Sequence, residues 1–283
     1  MWCDVDDTSV YYEIVGDGRP IVFLHGWSMD LRVEASDYEP IFGQRPGWQR
    51  IYLDLPGMGR TTAGPSIIDQ DRILAVVLGF IDQVLPRQRF VLSGTSAGAY
   101  LARGVVRDRA DALDGLLLRV PCIIADDVRR TVPSFQPLIE DQQLIAGLDP
   151  IDKAGLGDVL VQQPSYIDAQ RHKLQTRIRP AEQAAGRISH DIRADPARYG
   201  FSFDVDALAV PFQAPTLIMA GRQDTSVGYR DAWSILENYL RATFAVLDRA
   251  DHGWPLDNIR LLHALVNDWL DRIEEAGATG AGT

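Results

Sequence analysis

The sequence lacks the residues that would build a disulfide framework, a membrane span or a polyanion-binding surface. Its two cysteines, Cys3 and Cys122, are too few for a disulfide scaffold or a zinc-finger spacing, so we interpret them as reduced thiols. No apolar run approaches the roughly 18 residues of a spanning helix. The 28 basic and 39 acidic residues give a net charge of −11, which disfavours nucleic acids and anionic membranes as partners.

Features of a secreted protein are also missing. The first seven residues, Met1 to Asp7, are acidic where a secretory signal would be basic and then apolar. Together with the two interpreted free thiols, this predicts a cytoplasmic protein. A small molecule is then the expected partner, and the sequence carries no signature of oligomeric state.

What the chain does contain is a series of short apolar runs separated by helical patterns. The runs lie at 10–15, 20–24, 50–54, 89–92, 115–120, 216–220 and 243–247. Helical periodicity covers 66–85, 97–106 and 258–273. Strands that alternate with helices predict an α/β fold, with a mainly parallel sheet covered by helices on both faces.

The stretch 121–214 interrupts this alternation. It has helical patterns broken by prolines and no strong strand runs, so we predict a helical insertion (121–214) on a core made of 1–120 and 215–275. The last residues, 276–283, are expected to form a flexible tail. Within the insertion, the basic run Arg171, His172, Lys173, Arg177 and Arg179 is interpreted as a solvated helix face, with attraction of an acidic substrate as the alternative.

The strongest chemical signal is the pentapeptide Gly94–Gly98, which reads G-T-S-A-G. It lies between an apolar strand and a helix, the setting of a nucleophile elbow that presents Ser96 at the carboxyl edge of the sheet. The two glycines are needed because side chains at 94 and 98 would clash in so sharp a turn. Ser96 is therefore the candidate nucleophile.

A serine hydroxyl needs a base, and a base needs a carboxylate that fixes its tautomer. Of the five histidines, His252 follows the last strand on a loop at the same sheet edge, which favours it as general base. Asp224 follows the preceding strand and completes the order Ser96, Asp224, His252. Asp251 and Asp248 lie close by and stay as alternatives.

The loop after the run 20–24 and the elbow are expected to supply donors for an oxyanion. We expect these to be the backbone amides of Trp27 and Ala97. His25 should brace the loop, and we predict that His25, Gly26, Thr95 and Trp254 border the substrate pocket, with the two tryptophans as apolar walls. No metal site is expected.

These motifs resemble those of the α/β-hydrolase superfamily. The matching segments are His25–Trp27, Asp54–Thr61, Gly94–Gly98, Gly221–Asp224 and Asp251–Gly253, spread over the chain in the family's order. The resemblance implies an eight-stranded sheet whose second strand is antiparallel, a helical cap inserted after strand six, and a Ser-His-Asp triad that uses no cofactor.

These residues predict a serine hydrolase that forms an acyl-enzyme on Ser96. Hydrolysis of a carboxylic ester, lactone or thioester is the default expectation, with a small to medium, mostly apolar substrate. A carbon–carbon bond hydrolase or an aminopeptidase would use the same triad, and a ligand receptor could keep the fold. A serine at this position excludes the dehalogenases and epoxide hydrolases of the superfamily, which need an aspartate there.

Overall fold

The computed structural model describes residues 1–156, 158–253 and 259–280. Eight strands form one sheet in the order β1-β2-β4-β3-β5-β6-β7-β8. The strands are β1 (Trp2–Val5), β2 (Thr8–Val15), β3 (Arg19–Leu24), β4 (Trp48–Leu53), β5 (Phe90–Thr95), β6 (Leu113–Arg119), β7 (Thr216–Gly221) and β8 (Ala242–Leu247). In the sheet, the six neighbouring strands β4-β3-β5-β6-β7-β8 are all parallel to one another. Strand β2 is antiparallel to both of its neighbours, β1 and β4. The expected eight-stranded sheet with an antiparallel second strand is confirmed.

Helices cover both faces of this sheet. The helices of the core are α1 (Leu31–Phe42), α2 (Gln70–Val84), α3 (Ala97–Arg109), α10 (Arg230–Ser234) and α11 (Ile259–Gly280). Alternate strand residues point to opposite faces. In β3, for example, Val22 and Leu24 pack with α2 and α3 in one hydrophobic core, whereas Ile21 and Phe23 pack with α1 and α11 in another.

The chain between β6 and β7 is helical. It contains α4 (Gln142–Ala146), α5 (Pro150–Leu156), α6 (Pro164–Lys173), α7 (Arg179–Ala184), α8 (Arg187–Arg193) and α9 (Pro196–Tyr199). A π-helical turn, Leu174–Ile178, joins α6 to α7. Pro180 lies in the first turn of α7 and has no amide hydrogen to continue a regular helix, which explains the wider turn before it.

Four elements differ from the sequence-based expectation. Strand β1 and helix α1 were not predicted, and β4 lies between β2 and β3, so that the two opening strands are not neighbours. The final helix continues to Gly280, beyond the expected end at Ile273 and into the segment predicted to be flexible. The helix is anchored just before that segment, where Glu274 accepts hydrogen bonds from Arg45 and Trp48.

None of the helices in the described ranges is both long and apolar enough to cross a bilayer.

Candidate active site

Ser96 lies in a sharp turn between β5 and α3. Its backbone has φ 55° and ψ −113°, a conformation that costs an L-residue free energy. A Cβ at Gly94 would come within 2.4 Å of the Gly98 carbonyl oxygen, and a Cβ at Gly98 within 2.1 Å of the Leu24 carbonyl oxygen. The turn therefore requires glycine at both positions, as the sequence predicted.

The structure brings together the three residues predicted as a triad. The Ser96 Oγ lies 2.8 Å from His252 Nε2, and His252 Nδ1 lies 2.9 Å from Asp224 Oδ2. Because Nδ1 faces a carboxylate, it carries the ring proton, and Nε2 is left to accept the serine proton. This is the geometry of a general base oriented by an acid.

Asp224 is buried, and its second oxygen is also occupied. Oδ1 accepts the backbone amides of Ser226 at 2.8 Å and Val227 at 3.0 Å. Burial opposes ionisation, but His252 and these two amides outweigh it and leave the pKa of the Asp224 carboxyl below its usual value. The carboxylate is thus charged and fixed in place behind the ring.

The two alternative carboxylates point elsewhere. Asp248 is exposed, and its Oδ1 accepts a hydrogen bond from Gln223 Nε2 at 2.8 Å. Asp251 is next to His252 in the chain, and its carboxylate accepts the amide of Gly253, while burial raises its pKa. The carboxylate that faces His252 Nδ1 is that of Asp224.

Two backbone amides adjoin the Ser96 hydroxyl. Ala97 begins α3, and Trp27 follows Gly26, where a Cβ would lie 3.5 Å from Ser96 Cβ. Within the described ranges, neither the Trp27 nor the Ala97 amide has a hydrogen-bond acceptor. Both are therefore free to donate to an oxygen bound beside Ser96.

His25 braces the loop but does not border the pocket, which corrects that prediction. Its ring is fully buried, with Nδ1 2.7 Å from the Gly26 carbonyl oxygen and Nε2 2.9 Å from the Leu55 amide. Burial lowers the pKa of His25, so the ring is neutral and Nδ1 carries the hydrogen. His25 thereby ties the loop after β3 to the turn after β4. Trp254, the other predicted pocket wall, lies outside the described residues.

Ser96 and His252 open onto a cavity of about 410 Å³. The predicted residues Gly26, Trp27 and Thr95 line it, together with residues of the insertion such as Ile178 and Tyr199. Trp27 also joins the insertion to the core, because its Nε1 donates to the Ser189 carbonyl oxygen at 3.2 Å and its ring packs edge-on against Tyr199.

The cavity wall is more polar than the sequence predicted. Its described lining includes four cationic and three anionic side chains, namely Arg119, Arg130, Lys173, Arg193, Glu34, Asp37 and Glu182. Apolar atoms still supply the larger part of the wall, so the expectation of a mostly apolar pocket holds, but it did not include these charged side chains. The sequence carried a local signal in the basic run at 171–179, for which attraction of an acidic substrate was the alternative interpretation, and Lys173 of that run lines the cavity.

Three of these charges form a buried network beside Ser96. The Arg119 guanidinium donates to Asp37 at 2.7 Å and lies 3.3 Å from Glu34. The hydroxyl of Thr95, which precedes Ser96, donates to Glu34 at 2.9 Å. Burial raises the pKa of Glu34, while Arg119 opposes that shift. The elbow is thus connected to α1 through side chains.

A second group of charges includes Lys173 and Arg177, from the run interpreted as solvated. Lys173 is buried, which corrects that interpretation, and its ammonium donates to the Gly253 carbonyl oxygen. Arg177 is partly buried and lies 3.5 Å from Asp37. In the described ranges, no cluster of three or more histidine, cysteine, aspartate or glutamate side chains could hold a metal ion.

Comparisons with known proteins agree with this fold. Residues 21–263 match the family model described as the alpha/beta hydrolase family. A superfamily protein of Bacillus subtilis, YisY, is 29% identical over 265 residues, covering 92% of this chain and 95% of its own. The pimeloyl-acyl-carrier-protein methyl ester esterase of Aeromonas salmonicida is 28% identical over 254 residues, covering 87% of this chain and 92% of its own.

A solved structure is similar over nearly the whole chain. The crystal structure of a hydrolase of the same superfamily from Oenococcus oeni superposes with a TM-score of 0.80 at 27% sequence identity, covering 95% of this chain and 97% of that one.

Proposed function

The chain belongs to the alpha/beta hydrolase family, and from that premise we propose that it cleaves carboxylic esters through an acyl-enzyme on Ser96. The observation that carries the proposal is the Ser96 Oγ to His252 Nε2 distance of 2.8 Å, with Asp224 behind the ring. The similarity to a methyl ester esterase supports ester bonds as the substrate class. Lactones and thioesters present the same carbonyl chemistry and belong to the same proposal.

In the first step, His252 Nε2 takes the proton of Ser96 as Oγ attacks the ester carbonyl carbon. The carbonyl oxygen becomes an oxyanion, which the amides of Trp27 and Ala97 stabilise. The imidazolium formed on His252 is stabilised by Asp224. It then gives its proton to the departing alcohol, and Ser96 is left acylated.

In the second step, a water molecule replaces the alcohol. His252 takes its proton as the water oxygen attacks the acyl carbon, and the same two amides hold the second oxyanion. The proton returns to Ser96 Oγ when the acid leaves. Because both steps use one base and one pair of amides, the site needs no rearrangement between them.

The test is Ser96→Ala, assayed with p-nitrophenyl acetate and butyrate. We expect kcat/KM to fall by about 10³-fold or more, since the nucleophile is removed. Ser234→Ala, an exposed serine on α10, is the matched control and should hydrolyse both esters like wild type. A fluorophosphonate probe should label wild type at Ser96 and leave Ser96→Ala unlabelled.

Equal turnover by Ser96→Ala and wild type would contradict the proposal. Labelling of Ser96 without steady multiple turnover of any ester would also contradict it, and would favour a ligand receptor that keeps the fold.

A further inference from the structure

Lys173 is an unusual residue for the wall of an ester-binding pocket. It is one of two lysines in the chain, the other being the exposed Lys153, and it lines the cavity that contains Ser96. Only 9% of its surface is exposed. A buried ammonium group costs free energy unless it is paired with an anion or fully hydrogen-bonded.

In the described ranges, the Lys173 ammonium has neither a paired anion nor a full set of hydrogen-bond acceptors. Among the described residues, the Lys173 ammonium has one hydrogen-bond acceptor, the Gly253 carbonyl oxygen. An ammonium group has three hydrogens to donate. No carboxylate in the described ranges lies within 4.0 Å of it. Burial lowers the pKa of Lys173, as expected for a charge without a close counter-ion.

The nearby carboxylates are held by other donors. Asp37 is paired with Arg119 and Arg177, at 2.7 Å and 3.5 Å. Glu34 accepts from Arg119 and from the Thr95 hydroxyl. Burial raises the pKa of the Asp251 carboxyl, and the charge of Lys173 opposes that rise from beyond 4.0 Å, while the hydrogen bond that this carboxylate accepts comes from the Gly253 amide. These anions lower the energy of the cation from a distance, but none of them supplies the missing hydrogen bonds.

The helical geometry changes directly after Lys173. Lys173 is the last residue of α6, and the π-helical turn Leu174–Ile178 follows at once. Such turns are frequent at functional sites because they re-aim the side chains around them. Here the turn follows Lys173 and ends at a further cavity residue, Ile178, while Glu182 lies on α7 beyond it.

We infer that Lys173 binds a carboxylate of the substrate, so that the preferred ester is a half-ester or lactone of a dicarboxylic acid, with its free carboxylate on the acyl group. This inference rests on the proposed function. The ammonium contacts Gly253, the residue after His252, so the carboxylate would lie within the same cavity as the reacting carbonyl. A carboxylate oxygen would accept the hydrogens that Lys173 does not use.

The kinetic test compares two series of methyl esters. One series is monomethyl succinate, glutarate and adipate, and the other replaces the free carboxylate by a carbamoyl group of nearly the same shape and no charge. We expect wild type to prefer the charged member of at least one pair by about tenfold or more in kcat/KM, because a charge-assisted hydrogen bond would be lost with the amide. In Lys173→Met the ratio should fall to about one.

The ratio of kcat/KM for the charged ester to that for the carbamoyl ester distinguishes substrate binding by Lys173 from a purely structural role of that residue. Loss of the Lys173 to Gly253 contact could slow both series by disturbing the His252 loop, but it would slow them equally. Lys153→Met is the matched control, since Lys153 is exposed on α5, and it should keep the wild-type ratio. A wild-type ratio of about one or less, or a ratio that Lys173→Met leaves unchanged, would overturn the inference.

Binding without turnover gives a second measurement. In Ser96→Ala labelled with isotopic lysine, two lysine signals are expected in the NMR spectrum. Monomethyl glutarate should shift the Lys173 signal and leave that of Lys153 in place, and the carbamoyl ester should shift neither. Absence of a Lys173 shift at saturating half-ester would overturn the inference. Retained hydrolysis of both series by Ser96→Ala would instead refute the proposed function.

Discussion

Ser96 keeps a strained backbone because its neighbours hold the chain on both sides. Its amide donates to the Arg119 carbonyl oxygen at 2.9 Å, and its own carbonyl oxygen accepts the Cys122 amide at 3.1 Å. A residue in this conformation costs about 1–3 kcal/mol, which the surrounding structure must supply. These hydrogen bonds hold the Ser96 hydroxyl next to His252, so that substrate binding does not have to order the Ser96 backbone.

At this scale, the first prediction concerns Asp224→Asn. The amide side chain can offer its NH₂ group to His252 Nδ1, which favours the tautomer with the proton on Nε2. Since that tautomer cannot accept the Ser96 proton, we expect kcat to fall by about 10³- to 10⁴-fold. Steady-state hydrolysis of p-nitrophenyl acetate provides the measurement.

Asp248→Asn is the control for this substitution. Asp248 follows β8 at the same edge of the sheet and is exposed, so its variant should hydrolyse the ester at the wild-type rate. Should Asp224→Asn keep more than about a tenth of wild-type kcat while Asp248→Asn loses most of it, the assignment of the acid would be wrong.

The sequence could place the three triad candidates because each follows a strand or forms a turn with a recognisable local pattern. Glu34 and Asp37 had no such signal. Both are carboxylates on a helix, where charged side chains are ordinarily solvated. They are buried here because Arg119 arrives beside them from β6, about eighty residues later in the chain. No local pattern carries that information.

At the scale of elements, the same three residues connect β6 to α1. Helix α1 was missed because Pro40 and its charges weaken the helical pattern, yet Glu34 and Asp37 lie on its buried face. The helix is capped by Asp30, the residue before it, whose side chain accepts the Arg32 amide. Its packing on the sheet therefore depends on an ionic contact as well as on apolar residues.

This contact gives a second prediction, for Arg119→Met. The substitution leaves the buried Glu34 without its cation and leaves Asp37 with only Arg177, at 3.5 Å, which should lower the free energy of unfolding by about 3–5 kcal/mol. Arg119→Met combined with Glu34→Gln and Asp37→Asn should recover most of the loss, because both buried carboxylates are then replaced by neutral amides. Urea denaturation followed by circular dichroism measures both variants.

Arg89→Met is the control that tests whether loss of any paired arginine lowers the free energy of unfolding as much as loss of Arg119. Arg89 pairs with Asp114 at the surface, so its removal should change the stability by about 1 kcal/mol or less. A triple variant as unstable as Arg119→Met alone would show that packing of the arginine stem, and not its charge, stabilises the contact.

For the molecule as a whole, the insertion between β6 and β7 packs in two ways. Ile192, Tyr199 and Val205 belong to the same hydrophobic core as α2 and α3. The earlier part of the insertion has a small core of its own, formed by Leu156, Val159, Leu160, Val161, Tyr166 and Ile167. The second part is therefore tied to the sheet, and the first part depends largely on itself.

The third prediction follows from this division. Leu160→Ala creates a cavity in the small core and should lower the free energy of opening for the amides of α6 by about 2–4 kcal/mol. The amides of β5 and β6 should keep their wild-type protection. Native-state hydrogen exchange measures both sets, and an equal loss of protection across α6 and the strands would show that the insertion opens only with the whole molecule.

The α/β architecture was predictable because strands buried on both faces leave continuous apolar runs. The composition of the pocket was not. Its wall combines side chains from α1, β6 and the insertion, and whether Lys173 faces water or the cavity depends on the path of a helix that the prolines interrupt. Periodicity within one segment cannot determine that orientation.

The widened turn ahead of Pro180 has a consequence for how substrate range could change in related proteins. Adding or deleting one residue there would rotate every later position of the helix by about 100° about its axis. Ile178 and Glu182 would leave the cavity together, while Lys173, which precedes the turn, would stay. A single-codon length change, with no alteration of the triad, would thus remodel one wall of the pocket and leave Lys173 in place.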